Sequence, residues 1–307
     1  MKLLDLPNEV IICEVGPRDG LQNEKKILTV TQKVELIERV AFAGIRVIEI
    51  GSFVHPKAVP AMADTDEVAL RISRHDEVEY RALVLNKKGM ERALAAGVTK
   101  VKLTVSASPT HSRENSNKSP EEVVRNFSEC AEFARDRGLT ISAAVATAFG
   151  YYAEGTIGLE MIIPLVDFFL SIGVRELSMS DSTGLANPKQ VYEYMSFLKK
   201  HYPEIDWTLH AHDTRGMAMA NIFAAMQAGI KRFDSSFAGI GGCPFAPGAS
   251  GNIATEDAVH MFHEMGIKTG VDLEQMLGIA RTVQKLVGHT TDSSMLKASE
   301  CRMRKNC

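Results

Sequence analysis

Ala43-Gly44-Ile45-Arg46-Val47-Ile48-Glu49-Ile50 joins the end of a helix-like stretch to the start of a strand. The glycine decides that reading, because the residue just past a helix adopts the left-handed conformation that glycine reaches without a Cβ clash. Val47 to Ile50 after it is short and rich in β-branched residues, as buried strands are. The same punctuation returns at Ala96-Gly97-Val98, Arg137-Gly138-Leu139, Ile172-Gly173-Val174 and Ala228-Gly229-Ile230. The gaps correspond to one or two βα units, roughly 35–55 residues. Helix starts agree. Ser119-Pro120-Glu121-Glu122 combines an N-cap serine, a proline at the first helical position and a capping-box glutamate, and Thr29-Val30-Thr31-Gln32 is a weaker version.

Working outward, strands are expected near 11–15, 46–50, 79–84, 100–105, 139–146, 175–180, 207–211 and 231–236, with an eighth helix at 253–265 and an appended helix near 271–287. Alternation without a break in composition predicts one α/β domain, a TIM (β/α)8 barrel with an appended C-terminal helical segment, over residues 1–288. Residues 289–307 read as a basic C-terminal tail, loosely held from Lys297 to Cys307. The chain has 307 residues, 45% hydrophobic and 24% charged, and 35 basic against 38 acidic side chains leave a net charge of −3. That balance excludes low-complexity disorder, and it offers neither the basic footprint of a nucleic-acid binder nor a polybasic membrane patch. No apolar run approaches the about 18 residues of a membrane span. Met1 to Val10 contains Asp5 and Glu9 and lacks a presequence pattern, and Lys305-Asn306-Cys307 is not a peroxisomal address, so a cytoplasmic location is expected. Five scattered cysteines (Cys13, Cys130, Cys243, Cys301, Cys307) without a Cys-x-x-Cys argue against disulfides or structural zinc.

A parallel barrel carries its chemistry at the C-terminal ends of its strands. There the sequence places Glu14-Val15-Gly16-Pro17-Arg18-Asp19-Gly20 after strand 1, Glu49 on strand 2, Ser180-Asp181-Ser182 after strand 6 and His210-Ala211-His212-Asp213 on strand 7. A glycine-dense stretch, Ala238 to Pro244 and Gly248 to Asn252, follows strand 8. Residues two apart on a strand share a face, so His210 and His212 project together. With Asp19 and Asn252 they form a nitrogen–oxygen donor set suited to Mg²⁺ or Mn²⁺. The strand-7 position separates this pair from hydrolases that carry one on strand 1. Arg18 beside such a site is placed to stabilise developing negative charge, and Cys243, in its flexible loop, to act as acid, base or nucleophile.

Several of these stretches together resemble the 3-hydroxy-3-methylglutaryl-CoA lyase family. They are Glu14 to Glu24, Ile48-Glu49 with Ser52-Phe53-Val54, His210-x-His212-Asp213-Thr214, Gly239 to Phe245, and Gly251-Asn252-x-Ala254-Thr255-Glu256-Asp257, in order across nearly the whole chain. The resemblance implies metal ligation by Asp19, His210, His212 and Asn252, and an enolate-stabilising role for Arg18. It makes Cys243 the acid of a mobile loop, with Glu49 and Asp181 supporting the polar network. It places Asn115 and Asn117 near the coenzyme A portion of an acyl-CoA substrate, and Asp19 or His210 as the base. The implied reaction is a metal-dependent retro-Claisen cleavage, with a homodimer as a family tendency.

The departures lie on strand 5 and beyond. The family's Arg-x-Tyr is Ser142-x-Ala144 here, its Gly-Cys-Pro-Tyr-Glu is Gly150-Tyr151-Tyr152-Ala153-Glu154, and its Leu-Gly-Asp-Thr-Ile-Gly is Met179-Ser180-Asp181-Ser182-Thr183-Gly184. Trading Arg and Tyr for Ser142 and Ala144 is expected to remove a charge and open volume beside the metal, unless Tyr151 or Tyr152 fills the space. The leading expectation is cleavage of 3-hydroxy-3-methylglutaryl-CoA to acetyl-CoA and acetoacetate. A lyase for another branched 3-hydroxyacyl-CoA, an acetyl-CoA condensing transferase and a non-catalytic binding barrel stand as alternatives. Cys243 in its loop favours a lyase over the synthases.

Overall fold

The computed structural model describes residues 6–242 and 251–303, with side chains to residue 299. Eight parallel strands close a barrel in chain order: β1 (Ile11–Glu14), β2 (Val47–Ser52), β3 (Glu79–Leu83), β4 (Lys100–Ser106), β5 (Thr140–Ala146), β6 (Glu176–Asp181), β7 (Asp206–Ala211) and β8 (Arg232–Ser235), which pairs back onto β1. One helix returns the chain after each: α1 (Val30–Phe42), α2 (Thr65–Arg71), α3 (Lys87–Ala95), α4 (Pro120–Arg137), α5 (Leu159–Ser171), α6 (Pro188–His201), α7 (Ala218–Gln227) and α8 (Thr255–Glu264). The expected TIM barrel is therefore present, with each strand close to its expected place.

Local chemistry explains the boundaries. Thr29 and Ser119 both form complete capping boxes, with Gln32 and Glu122. All five punctuating glycines, 44, 97, 138, 173 and 229, have positive φ. Gly44 serves a second purpose, because a Cβ there would lie 2.1 Å from the Gly270 carbonyl oxygen.

Three elements were not legible in advance: a π-helical turn at Gly16–Gly20, a helix at Pro109–Ser116, and a hairpin pairing Gly150–Tyr151 with Gly155–Thr156. The C-terminal segment carries a further helix that the sequence reading did not place. After α9 (Leu273–Val287) comes α10 (Ser294–Met303), and it is not loose at its start. Leu296 is buried, and the Asp257 carboxylate accepts hydrogen bonds from Ser293 Oγ and from the amides of Ser294 and Met295. A basic composition does not reveal that one buried leucine and one acidic cap anchor the segment.

Alternation along the strands divides the interior. On β4, Val101, Leu103 and Val105 are buried beneath the helices, whereas Lys100 and Lys102 point into the lumen and pair with acids of other strands. At the N-terminal end, Lys100 Nζ lies 2.7 Å from both Glu79 and Glu176, and Arg81 and Arg232 also pair with Glu176. A second charged layer lies above it, and the third forms the rim.

Candidate active site

Asp19 is delivered by the π-helical turn after β1, where the Val15 carbonyl accepts from the amides of Arg18, Asp19 and Gly20. Such turns recur at functional sites because they re-aim a side chain. Glu14 fixes this turn to the loop after β8: its buried carboxylate accepts from Gly16 N at 2.7 Å, Phe237 N at 2.9 Å and Thr255 Oγ1 at 2.7 Å. Burial still pushes the Glu14 carboxyl up to about 8, against the pull of those three donors.

His210 lies on β7 and His212 just beyond it, where its backbone bridges to Asn252. The segment from Gly251 runs along the end of β7, with Asp213 N bonded to Gly251 O and Ile253 N to Ala211 O. Asn252 Nδ2 donates to Asp19 Oδ2 at 2.8 Å and to Ile240 O at 3.1 Å. Gly241, at φ +107°, makes this possible, since a Cβ there would sit 2.6 Å from Asn252 Nδ2.

The donors converge. The Nε2 atoms of His210 and His212 are 3.0 Å apart, and Asp19 Oδ2 is 3.9 and 3.7 Å from them. One ligand atom from each of Asp19, His210 and His212 falls within a 4.8 Å cluster. Asn252 Oδ1 is buried with no hydrogen-bond partner among the described residues. Burial, then the neighbouring His210, pushes His212 down to about 4, so its ring is neutral near pH 7 and keeps a lone pair for ligation. Burial alone would raise the Asp19 carboxyl, but the Arg18 guanidinium, with both histidines and Asn252, holds it far below the usual carboxylate range. Two buried nitrogens, an ionised oxygen and an unpaired amide oxygen suit a divalent cation.

Arg18 is pinned at this rim, with Nη1 2.5 Å from Asp19 Oδ1 and Nε bonded to Glu49 Oε1. Asp181, at the end of β6, accepts the amides of Leu185 and Ala186 on Oδ1, while Oδ2 is buried with no hydrogen-bond partner among the described residues. Burial pushes its carboxyl up to about 6. The structure thus gathers Arg18, Asp19, Glu49, His210, His212 and Asn252 into one contact network. Asn115 and Asn117 stand apart from it, exposed on and just after the helix that follows β4. Asn117 caps that helix in the left-handed conformation at φ 55°, a backbone reason for asparagine. Cys243 lies outside the described residues.

Two residues of the network escaped the sequence reading. Lys102 Nζ lies 3.1 Å from Asp234 Oδ2 and 3.3 Å from Glu49 Oε2, and Asp234 Oδ2 lies 3.3 Å from His210 Nδ1. The available signal is a charge set against buried apolar residues within a strand, Lys102 between Val101 and Leu103 and Asp234 after Phe233. Lys102 offsets the expected loss of charge on β5. Ser142 is its register partner, and its hydroxyl is turned to the Val101 carbonyl. The buried cation comes from β4. The Tyr151 hydroxyl donates to Glu114 at 2.5 Å, and its ring lies against His111 and Tyr152.

Comparison with known proteins agrees with this geometry. The HMGL-like family profile matches residues 9–283. Hydroxymethylglutaryl-CoA lyase YngG of Bacillus subtilis is 43% identical over 95% of this chain and 97% of its own. A crystal structure of the B. subtilis HMG-CoA lyase superposes with a TM-score of 0.94 at 42% identity, over 97% of this chain and 100% of that one. The (R)-citramalyl-CoA lyase of Chloroflexus aurantiacus is 40% identical over 94% of both chains. An HMG-CoA lyase from Acinetobacter baumannii, solved with coenzyme A and 3-methylmalate, gives a TM-score of 0.91 at 40% identity, over 95% of both chains.

Proposed function

The chain belongs to the HMGL-like family, and on that premise we propose that it is a divalent-metal-dependent carbon–carbon lyase cleaving 3-hydroxy-3-methylglutaryl-CoA to acetyl-CoA and acetoacetate. The observation that carries this reading is the convergent donor set of Asp19, His210, His212 and Asn252 with the Arg18 guanidinium against it. Those four residues would hold a Mg²⁺ or Mn²⁺ ion, which would supply Lewis acidity toward the substrate's oxygens.

The chain's own groups account for the rest. Asp19, held ionised, is a fixed charge and a weak proton acceptor. Asp19 and His210 are the two candidate proton acceptors, an assignment that rests on the family resemblance. Once the hydroxyl proton is removed, its oxygen becomes the ketone of acetoacetate as the bond to the thioester's α-carbon breaks. The electron pair remains as a thioester enolate. Arg18, immobilised by Glu49 and Asp19, offers its guanidinium to that charge without reorganising. Cys243 is assigned the proton that converts the enolate into acetyl-CoA, an assignment that rests on the sequence motif, and Asn115 and Asn117 are assigned to the coenzyme A portion on the same ground.

A second substrate reading, another branched 3-hydroxyacyl-CoA, draws on Ala144, which leaves room where the family pattern has tyrosine, and on the citramalyl-CoA lyase relative. One experiment decides between them. Acetyl-CoA release is followed with Mg²⁺ or Mn²⁺ across a panel of branched 3-hydroxyacyl-CoA thioesters, before and after chelation. The proposal expects the highest kcat/KM for 3-hydroxy-3-methylglutaryl-CoA, loss of turnover with chelator and recovery with added cation. A higher kcat/KM for a differently branched thioester selects the second reading. Full turnover in chelated, metal-free protein sinks the metal-dependent mechanism.

A further inference from the structure

We infer that Lys102 and Asp234 are positioning residues that orient Arg18 and His210 together through a closed ring of charges beneath the cation site. The inference rests on the reading of Asp19, His210 and His212 as that site. Around the ring, Arg18 holds Asp19 and Glu49, the other oxygen of Glu49 meets the Lys102 ammonium, and Lys102 meets Asp234. Asp234 meets His210 Nδ1, and His210 Nε2 faces Asp19 again.

Lys102 is on β4, Glu49 on β2 and Asp234 on β8, none of which is a neighbour of another in the sheet. Their side chains meet only by crossing the lumen, and all three are buried to 4% exposure or less. Such a group has no role in strand pairing, and three buried charges are costly unless each is compensated. Here the ammonium compensates two carboxylates at once, and each carboxylate then grips a functional side chain.

The grip on His210 has a chemical consequence. An ionised carboxylate only accepts hydrogen bonds, so the ring nitrogen 3.3 Å from Asp234 Oδ2 is the protonated one. That tautomer leaves the lone pair on Nε2, the atom facing His212 and Asp19. Partners of this kind fix ligand orientation, and their loss typically weakens metal binding roughly 10–100-fold. Ser142 completes the argument. It sits in register beside Lys102 and carries no charge, so the cation that bridges Glu49 and Asp234 is supplied from β4. A guanidinium at position 142 would reach the same two acids from the adjacent strand.

The test uses Asp234→Asn, Lys102→Met, Lys102→Arg and the double variant Lys102→Met with Ser142→Arg. Mn²⁺ affinity is measured by electron paramagnetic resonance, kcat and KM by acetyl-CoA release, and the His210 tautomer by ¹⁵N NMR of metal-free protein. Asp234→Asn and Lys102→Met are expected to weaken Mn²⁺ binding roughly 10–100-fold, to lower kcat more than KM, and to turn a single Nδ1-protonated His210 into a mixture. Ser142→Arg should restore most of the loss in the double variant, and Lys102→Arg should stay near wild type. Folded Asp234→Asn with wild-type affinity and tautomer overturns the inference. Failure of Ser142→Arg to restore a folded Lys102→Met overturns the claim that the two acids need a bridging cation. If Lys102→Met does not fold, Asp234→Asn and Lys102→Arg decide. A wild-type protein that binds no Mn²⁺ overturns the site reading instead, and the tautomer spectrum still judges the ring.

Discussion

His212 and Cys243 belong to the same family motif set but are assigned different roles, and substitution separates them. His212 contributes a neutral imidazole to a buried donor cluster. His212→Ala is expected to cut cation affinity and to lower turnover by on the order of 10²-fold or more. Cys243→Ala should lower turnover comparably while leaving Mn²⁺ affinity at the wild-type value, because its assigned role is proton transfer. Cys13 and Cys130 are controls: burial pushes their thiols up to about 12 and about 11, so they stay protonated and inert, and alanine there should leave the catalytic rate intact. Alkylation of Cys243 without loss of rate would remove its role as acid. At this scale the sequence was most informative where polar residues sit in compact motifs, as Arg18-Asp19 and His210-x-His212 do. It was silent on Lys102 and Asp234, whose significance depends on a partner across the lumen.

Helix ends were legible for the same local reason. A cap involves residues three or four apart, as Thr29 with Gln32 and Ser119 with Glu122 show. The helix that opens the C-terminal tail was not legible because its anchor is distant. Asp257, on α8, caps the start of α10 with three hydrogen bonds from residues 36 to 38 positions later. Asp257→Ala should cost about 1–3 kcal/mol of stability, read as a lower urea midpoint. It should also expose residues 289–299 to limited proteolysis. An unchanged midpoint and cleavage pattern would mean that Leu296 alone holds the segment.

Across the whole molecule, the barrel interior is held by ion pairs where TIM barrels ordinarily stack branched apolar side chains. That choice makes stability depend on pH in a direction that can be worked out. Burial alone would raise the carboxyls of Asp19, Glu49, Glu176 and Asp234, but the neighbouring cations lower all four, Glu176 to about 2. As pH falls below about 4.5 the unfolded chain takes up protons that the folded barrel refuses, so stability is present above that pH and drains away toward pH 2. Each such carboxylate contributes up to about 1.4 kcal/mol per pH unit in that window. Urea midpoints should therefore fall steeply between pH 4.5 and 3, with little effect of added salt because the pairs are shielded from solvent. A flat profile across that interval would contradict the electrostatic account.

Periodicity, helix caps and positive-φ glycines are properties of neighbouring residues, so strand and helix order, and hence the barrel, were determined by the sequence alone. The barrel in turn dictates that strand ends meet at one rim, which is why Arg18, Asp19, Glu49, His210, His212 and Asn252 could be named as a group. Only the tertiary structure decided how those residues are held. Closure of the sheet brings β2, β4 and β8 face to face across the lumen, and there Lys102 finds Glu49 and Asp234. It also decided that the β5 substitution at Ser142 leaves a buried cation in place, since two adjacent parallel strands present their inward side chains to the same space. A pairing between residues 132 positions apart leaves no periodic trace in the chain, because it is set by the geometry of a closed barrel.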